Sequence, residues 1–299
     1  MILIKAAGTA LRLSSGRTGS DAMRLASLLV YVDEGPEATA RVALACSIAA
    51  LSKAHVIGLA ASMPEAPQID PYAGGAMLGE MLGLFRDIAE ADVSRAQTLF
   101  EEAVGGYAEQ AEWRGQVGYP SDLVVQALRA ADIAVLGRRD PVRSPARSPD
   151  PADVLMAAGR ALLVVPPQLA KGPIGTPAVV AWKDCREAQR AVAAALPILA
   201  ASSTVHLIEV CAAEQADEAR HRVDDVAVFL RRHGIVASAQ TVKGDGRPRA
   251  DQIIEFAQDH GAGLIVAGGY GHARLREWVM GGVTHGLLDR SPVCLLLSH

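Results

Sequence analysis

The same order of apolar runs occurs twice along this chain, and that repetition limits the available folds more than any other feature. Short, nearly all-apolar runs at 26–32, 55–61, 133–136 and 162–165, with a less apolar one at 112–117, read as strands. Helical spacing of apolar residues fills the gaps: Val42, Ala45, Cys46 and Ala49 in 37–51, Leu78, Met81, Leu82, Phe85 and Ile88 in 78–104, then Leu123, Val124, Ala127 and Leu128, and a short helix at 152–158. After a Gly- and Pro-rich segment at 168–177 the order returns. Strands are expected at 178–182, 205–210, 236–242, 264–267 and 293–297, with helices at 186–201, 214–233, 251–259 and 283–289. Individual residues also correspond: Leu123, Val124 and Ala127 with Ile253, Ile254 and Ala257, and ADIAVLG at 131–137 with GAGLIVAG at 261–268.

A repeat of this length is two domains joined by a linker. Strands apolar throughout are covered on both faces, which makes the sheets parallel with helices on each side. Right-handed crossovers then make each half doubly wound. The expected fold class is α/β: two tandem doubly wound, Rossmann-like domains, each with a five-stranded parallel sheet, related by a pseudo-two-fold axis through their fifth strands. The expected boundaries are a flexible extension at 1–24, a first domain at 25–167, a linker at 168–177 and a second domain at 178–299.

Composition narrows the function classes. Half the residues are apolar and only 4% aromatic, which suits helices packed on buried strands. A net charge of −4 gives no electrostatic reason to expect a nucleic-acid partner. No uninterrupted apolar run approaches the ~18–20 residues of a membrane-spanning helix, so no membrane partner is expected. Cys46, Cys185, Cys211 and Cys294 are scattered and form no CxxC pair, as expected of small buried residues in a reducing, cytoplasmic setting. The histidines show no metal-ligand spacing, and no metal site is expected. Residues 1–24 carry Lys5, Arg12, Arg17 and Arg24 against the single acid Asp21; they read as an extension, with a transit peptide or a start at Met23 as alternatives.

Doubly wound sheets bind ligands beyond the carboxyl ends of their strands, where the first and fourth strands lie side by side. In the second half that position reads Gly268-Gly269-Tyr270-Gly271, then nine residues, then Gly281-Gly282-Val283-Thr284 opening the last helix. Glycine lets phosphate oxygens approach the backbone with no Cβ in the way. The first N–H groups of a helix lack internal partners and, with the helix dipole, make an anion site worth ~0.3–1 kcal/mol per charge from the dipole alone. The Thr284 hydroxyl can add one donor. The competing reading is a tight strand-to-helix connection with no ligand.

The G-2x-G-9x-G pattern followed by a small or hydroxyl residue resembles the nucleotide-binding motif of the universal stress protein family, and the strand order resembles it across both halves, in the tandem form. The resemblance implies a stress-response regulator that binds an adenine nucleotide, ATP with or without Mg²⁺. It places ribose and phosphate at Gly268, Gly271, Gly281 and Gly282, with Val283 and Thr284 nearby; His272, directly after Gly271, reads either as a phosphate contact or as an exposed loop histidine. Ala181 and Val210 would border the base. Two departures bear on this. Gly282 stands where the family usually has Ser or Thr, and Lys183 stands where relatives often have the adenine-side Asp. An ammonium there can pair with phosphate instead, the alternative being a solvated loop lysine.

The first half shows the converse. Asp33 occupies the adenine-side position, but the segment after Leu136 reads Arg138-Arg139-Asp140-Pro141 and has no glycine after Gly137 until Gly159. No nucleotide is expected there, and Arg138, Arg139, Arg143 and Arg147 read as a solvated loop. No GxSxG elbow, Walker A lysine or HExxH motif is present, so no catalytic residues are assigned. His285, Arg274, Arg276, Glu277 and Asp289 lie near the glycine loop without an evident catalytic arrangement. The expectation is a regulator, with a nucleotide-independent scaffold and a weak nucleotide hydrolase as alternatives, and a homodimer as a further candidate assembly.

Overall fold

In the computed structural model, residues 24–64, 75–270 and 282–299 are described. The extension expected before residue 24 lies outside them, as do Gly271, His272 and Gly281 of the glycine loop.

The first half runs β1 (Ser27–Tyr31), α1 (Ala38–Ala50), β2 (His55–Ser62), α2 (Gly75–Val104), β3 (Ala111–Val117), α3 (Pro120–Ala127), β4 (Ile133–Gly137), α4 (Pro151–Ala157) and β5 (Ala161–Val165). The second half repeats it: β6 (Ala178–Ala181), α5 (Arg186–Leu199), β7 (Val205–Cys211), α6 (Ala216–Arg232), β8 (Ala237–Lys243), α7 (Arg249–Asp259), β9 (Leu264–Gly268), α8 (Gly282–Arg290) and β10 (Cys294–Ser298). Within each half the strands are parallel in the order 3-2-1-4-5.

The halves meet through their fifth strands. β5 and β10 pair antiparallel, with Leu163 opposite Leu296, so the five-stranded units merge into one ten-stranded sheet of order β3-β2-β1-β4-β5-β10-β9-β6-β7-β8. The order is a palindrome, which is the pseudo-two-fold relation written in strands. The physical reason lies in the edges. β5 and β10 are buried at every position, and an apolar edge left open would recruit foreign strands. The outer edges, β3 and β8, instead carry exposed polar residues such as Glu112, Arg114, Ser238 and Lys243, which discourages further pairing.

Alternation along the central strands builds two cores. Leu28 and Val30 face α1 and α2, while Leu29 and Tyr31 face α3 and α4; the second half divides the same way between α5/α6 and α7/α8. One helix departs from expectation. Leu82 and Ile88 of the α2 stripe are exposed, and burial on this helix begins at Ala89 and continues through Ala96 and Phe100. Among the residues whose burial is described, it is the C-terminal part of α2 that is buried. All four cysteines are free: Cys211 and Cys294 are buried, Cys46 and Cys185 half-buried, and burial pushes the Cys294 thiol up to about 12.

Candidate functional site

A cleft of about 500 Å³ opens beyond the carboxyl ends of β6, β7 and β9. Ala181, Lys183, Val210, Gly268, Gly282, Val283 and Thr284, all expected from the sequence, line it together. Gly271, His272 and Gly281 fall outside the described residues.

The two described glycines have different causes. A Cβ on Gly268 would lie 2.7 Å from the backbone nitrogen of Ala188, so glycine is required there by the close approach of β9 to the start of α5. A Cβ on Gly282 would meet nothing within 4 Å among the described residues. None of the described residues makes a packing demand for this glycine, and it sits at the start of α8 on the cleft wall.

The helix ends around the cleft are not equivalent. The start of α5 is occupied by Glu187, a fully buried carboxylate. Burial pushes it up, but the Arg186 guanidinium at 2.7 Å, its own backbone N–H and the Cys185 thiol outweigh that and hold it at about 2. Glu187 is therefore already the anion at that helix end. The first turn of α8 carries no acid, and its Gly282, Val283 and Thr284 line the cleft.

Charge on the walls favours an anion as well. Glu209 is held by Arg222 at 2.6 and 3.1 Å, which neutralises both. Lys183 and Arg249 also line the cleft, and among the described residues no carboxylate lies within 4 Å of either cation. Arg249 has no sequence signal of the glycine kind. It is exposed by position alone, at the start of α7 just beyond the third strand of the half. Trp182 is likewise unanticipated: it lines the cleft with a buried indole N–H that finds no acceptor among the described residues.

Thr284 ties the two ends of the loop together. Its hydroxyl accepts the Tyr270 backbone N–H at 3.0 Å, and both residues are buried. That places Thr284 inward, and it holds Tyr270 in its left-handed conformation, with φ of 51°. Replacing Thr284 by Val leaves a buried N–H unsatisfied and is expected to cost about 1–3 kcal/mol, measured by denaturant unfolding.

Residues 176–299 match the family model described as Universal stress protein family. The second half belongs to that family. Among solved structures, a universal stress protein from Archaeoglobus fulgidus DSM 4304 aligns with TM-score 0.67 at 15% identity, over 91% of this chain and 95% of that one. A protein of unknown function from Pseudomonas aeruginosa PAO1 aligns with TM-score 0.56 at 18% identity, over 93% of this chain and 94% of that one. Both likenesses extend over both halves, and at these identities they establish a shared fold. No curated protein matches the sequence.

Against the universal stress domain of the second half, the first half is built differently at the same place. It has a cleft of about 430 Å³ lined by Asp33, Asp92, Arg143 and Arg147 among others. Asp33 is not open to a ligand. Arg41 and Arg143 each reach it at 2.9 Å, and Gly35 donates its N–H at 2.9 Å. Burial pushes the Asp33 carboxyl up, but Arg41, the Gly35 N–H and Arg143 outweigh it and hold the group below the usual carboxylate range.

Within the arginine segment Arg143 is largely enclosed, whereas Arg139 and Arg147 remain at least half exposed to solvent while paired. Arg143 also approaches Glu37 at 3.4 Å, Arg147 approaches Asp92 at 3.5 Å, Arg139 approaches Asp150 at 3.4 Å, and Arg138 donates to the Ser291 carbonyl at 3.2 Å. The pairing of Arg143 and Arg147 is not visible locally because Asp33 and Glu37, in the connection between β1 and α1, and Asp92 on α2 lie far away in sequence. Elsewhere, His285 pairs with Asp289 at 3.0 Å on the exposed side of α8, and Arg290 with Asp251, so neither His285 nor Asp289 belongs to the cleft.

Proposed function

We propose that the second half binds an adenine nucleotide, ATP with its Mg²⁺, and that the chain is a cytoplasmic, ligand-responsive regulator of the stress response rather than a catalyst. The observation that carries this reading is Gly282. It is a helix-opening glycine with no described residue where its side chain would be, on the wall of a cleft that also presents Lys183 and Arg249. Amide groups at the start of α8 suit phosphate oxygens, which can approach closely because no Cβ intervenes. The two cations add charge for a polyanion. Ala181 and Val210 offer an apolar wall of the kind a flat base requires.

The residues fit a magnesium ion only as a companion of the nucleotide. Of the acids on the wall, Glu209 is engaged by Arg222, which leaves Asp184. Mg²⁺ bound through phosphates and water, with few protein ligands, is the ordinary arrangement. In the first half the Asp33–Arg41–Arg143 cluster fills the equivalent position, which supports one nucleotide per chain.

Isothermal titration of the purified chain with ATP and Mg²⁺ tests this. One site per chain is expected, and nucleotide released on denaturing freshly purified protein would agree. No heat and no thermal shift at millimolar ATP would reject the reading in favour of a nucleotide-independent scaffold.

A further inference from the structure

The glycine following Gly268 has a cause that lies in the other half of the chain. A Cβ on Gly269 would stand 2.6 Å from Cδ2 of Leu155, a fully buried residue of α4 in the first half. The pseudo-symmetric position is Arg138: its N–H donates to the Val165 carbonyl at 2.8 Å, as the Gly269 N–H donates to the Ser298 carbonyl at 2.8 Å. Arg138 can carry a side chain because the space beside it is free enough for the guanidinium to run to Ser291. At Gly269 that space is filled by Leu155.

We infer that Leu155 is a positioning residue for the ligand loop of the second half, so that the first half takes part in binding without holding ligand itself. This rests on the nucleotide reading above. The backbone leaving β9 is fixed at three points before residue 271. Gly269 donates to β10, Leu155 covers the bare face of Gly269, and Tyr270 donates to Thr284 on α8. Gly268, Tyr270 and Thr284 are themselves part of the cleft wall, and α4 also packs against α8. A displacement of Leu155 therefore moves the wall on both sides of the phosphate position, and small misplacements of a binding group have large effects on what it binds.

A double-mutant cycle on the full chain tests this with ATP and Mg²⁺ as the probe. Gly269→Ala sets a methyl against Leu155 and is expected to weaken ATP binding by at least about threefold; Leu155→Ala in that background makes room for it and is expected to recover a good part of the loss. Leu155→Met, which keeps the volume, should bind as wild type. Leu128→Ala, also buried in the first half but not among the atoms against Gly269, should lower stability without changing affinity. Hydrogen exchange supplies a readout that needs no ligand: Leu155→Ala should speed exchange at the Gly269 and Tyr270 amides and not at those of β7. Wild type that binds no ATP would overturn the nucleotide reading, and exchange would still decide whether Leu155 holds the loop. Unchanged exchange at those two amides, or single-variant effects that simply add, would overturn the positioning role.

Discussion

Gly282→Val is expected to lower ATP affinity by about a hundredfold or more while leaving the fold intact. Two charge-assisted hydrogen bonds from helix-start amides, at about 1.5–3 kcal/mol each, set the scale of the loss. The isopropyl group would occupy the space through which phosphate approaches them. The fold has no reason to object. No described residue lies within 4 Å of the new Cβ, and Val is a better helix residue than Gly by a few tenths of a kcal/mol. Gly282→Ala should show a smaller loss with the same sign. Gly268→Ala is the informative contrast: it forces a methyl against the Ala188 backbone, so it should destabilise the protein as well as the site. Calorimetry paired with thermal unfolding separates the cases. Full affinity in Gly282→Val would place the phosphates elsewhere in the cleft, or nowhere.

Much of this architecture is legible in the residues. The all-apolar strands announce a parallel, doubly covered sheet, and the repeated order announces two units, because both signals come from burial, which composition along the chain records directly. The pairing of β5 with β10 is less direct, yet their burial at every position makes them poor candidates for free edges. At the site, the glycine spacing points to the cleft but not to the different tasks of its members. Gly268 serves helix packing, Gly269 serves the contact between halves and Gly282 faces no described residue. These distinctions depend on Ala188 and Leu155, which lie about 80 and 114 residues away along the chain, and spacing within one loop cannot carry them. Arg249 and Trp182 escaped notice for the same reason: their place in the cleft follows from strand order and not from a local pattern.

The first half makes the point with charge. Asp33 read in isolation is a ligand-side carboxylate, whereas in the fold it is the centre of a buried ion-pair cluster. Arg41→Met should therefore be among the most damaging single substitutions on the chain, costing about 3 kcal/mol or somewhat more at neutral pH. Arg41 and Asp33 are both nearly buried, and Arg143 remains as a second partner, which keeps the cost toward the lower end of the range for a broken buried pair. The pH dependence fixes the cause. In the wild type the Asp33 carboxyl is held below its unfolded value, so its contribution to stability is present above that value and is lost as pH falls through the folded one. Without Arg41 the largest influence that lowers the group is gone and burial is opposed only by the Gly35 N–H and Arg143, so the carboxyl titrates higher than in the wild type and the variant loses less on acidification. The stability gap between Arg41→Met and wild type should accordingly narrow as pH is lowered from about 7 to about 4. Removing both charges with Asp33→Leu and Arg41→Met should recover most of the loss, since a buried pair replaced by apolar residues of similar volume is often neutral or better. A gap that widened on acidification, or a double variant as weak as the single one, would mean that Arg41 acts through its 2.9 Å hydrogen bond to the Tyr31 carbonyl and not through Asp33.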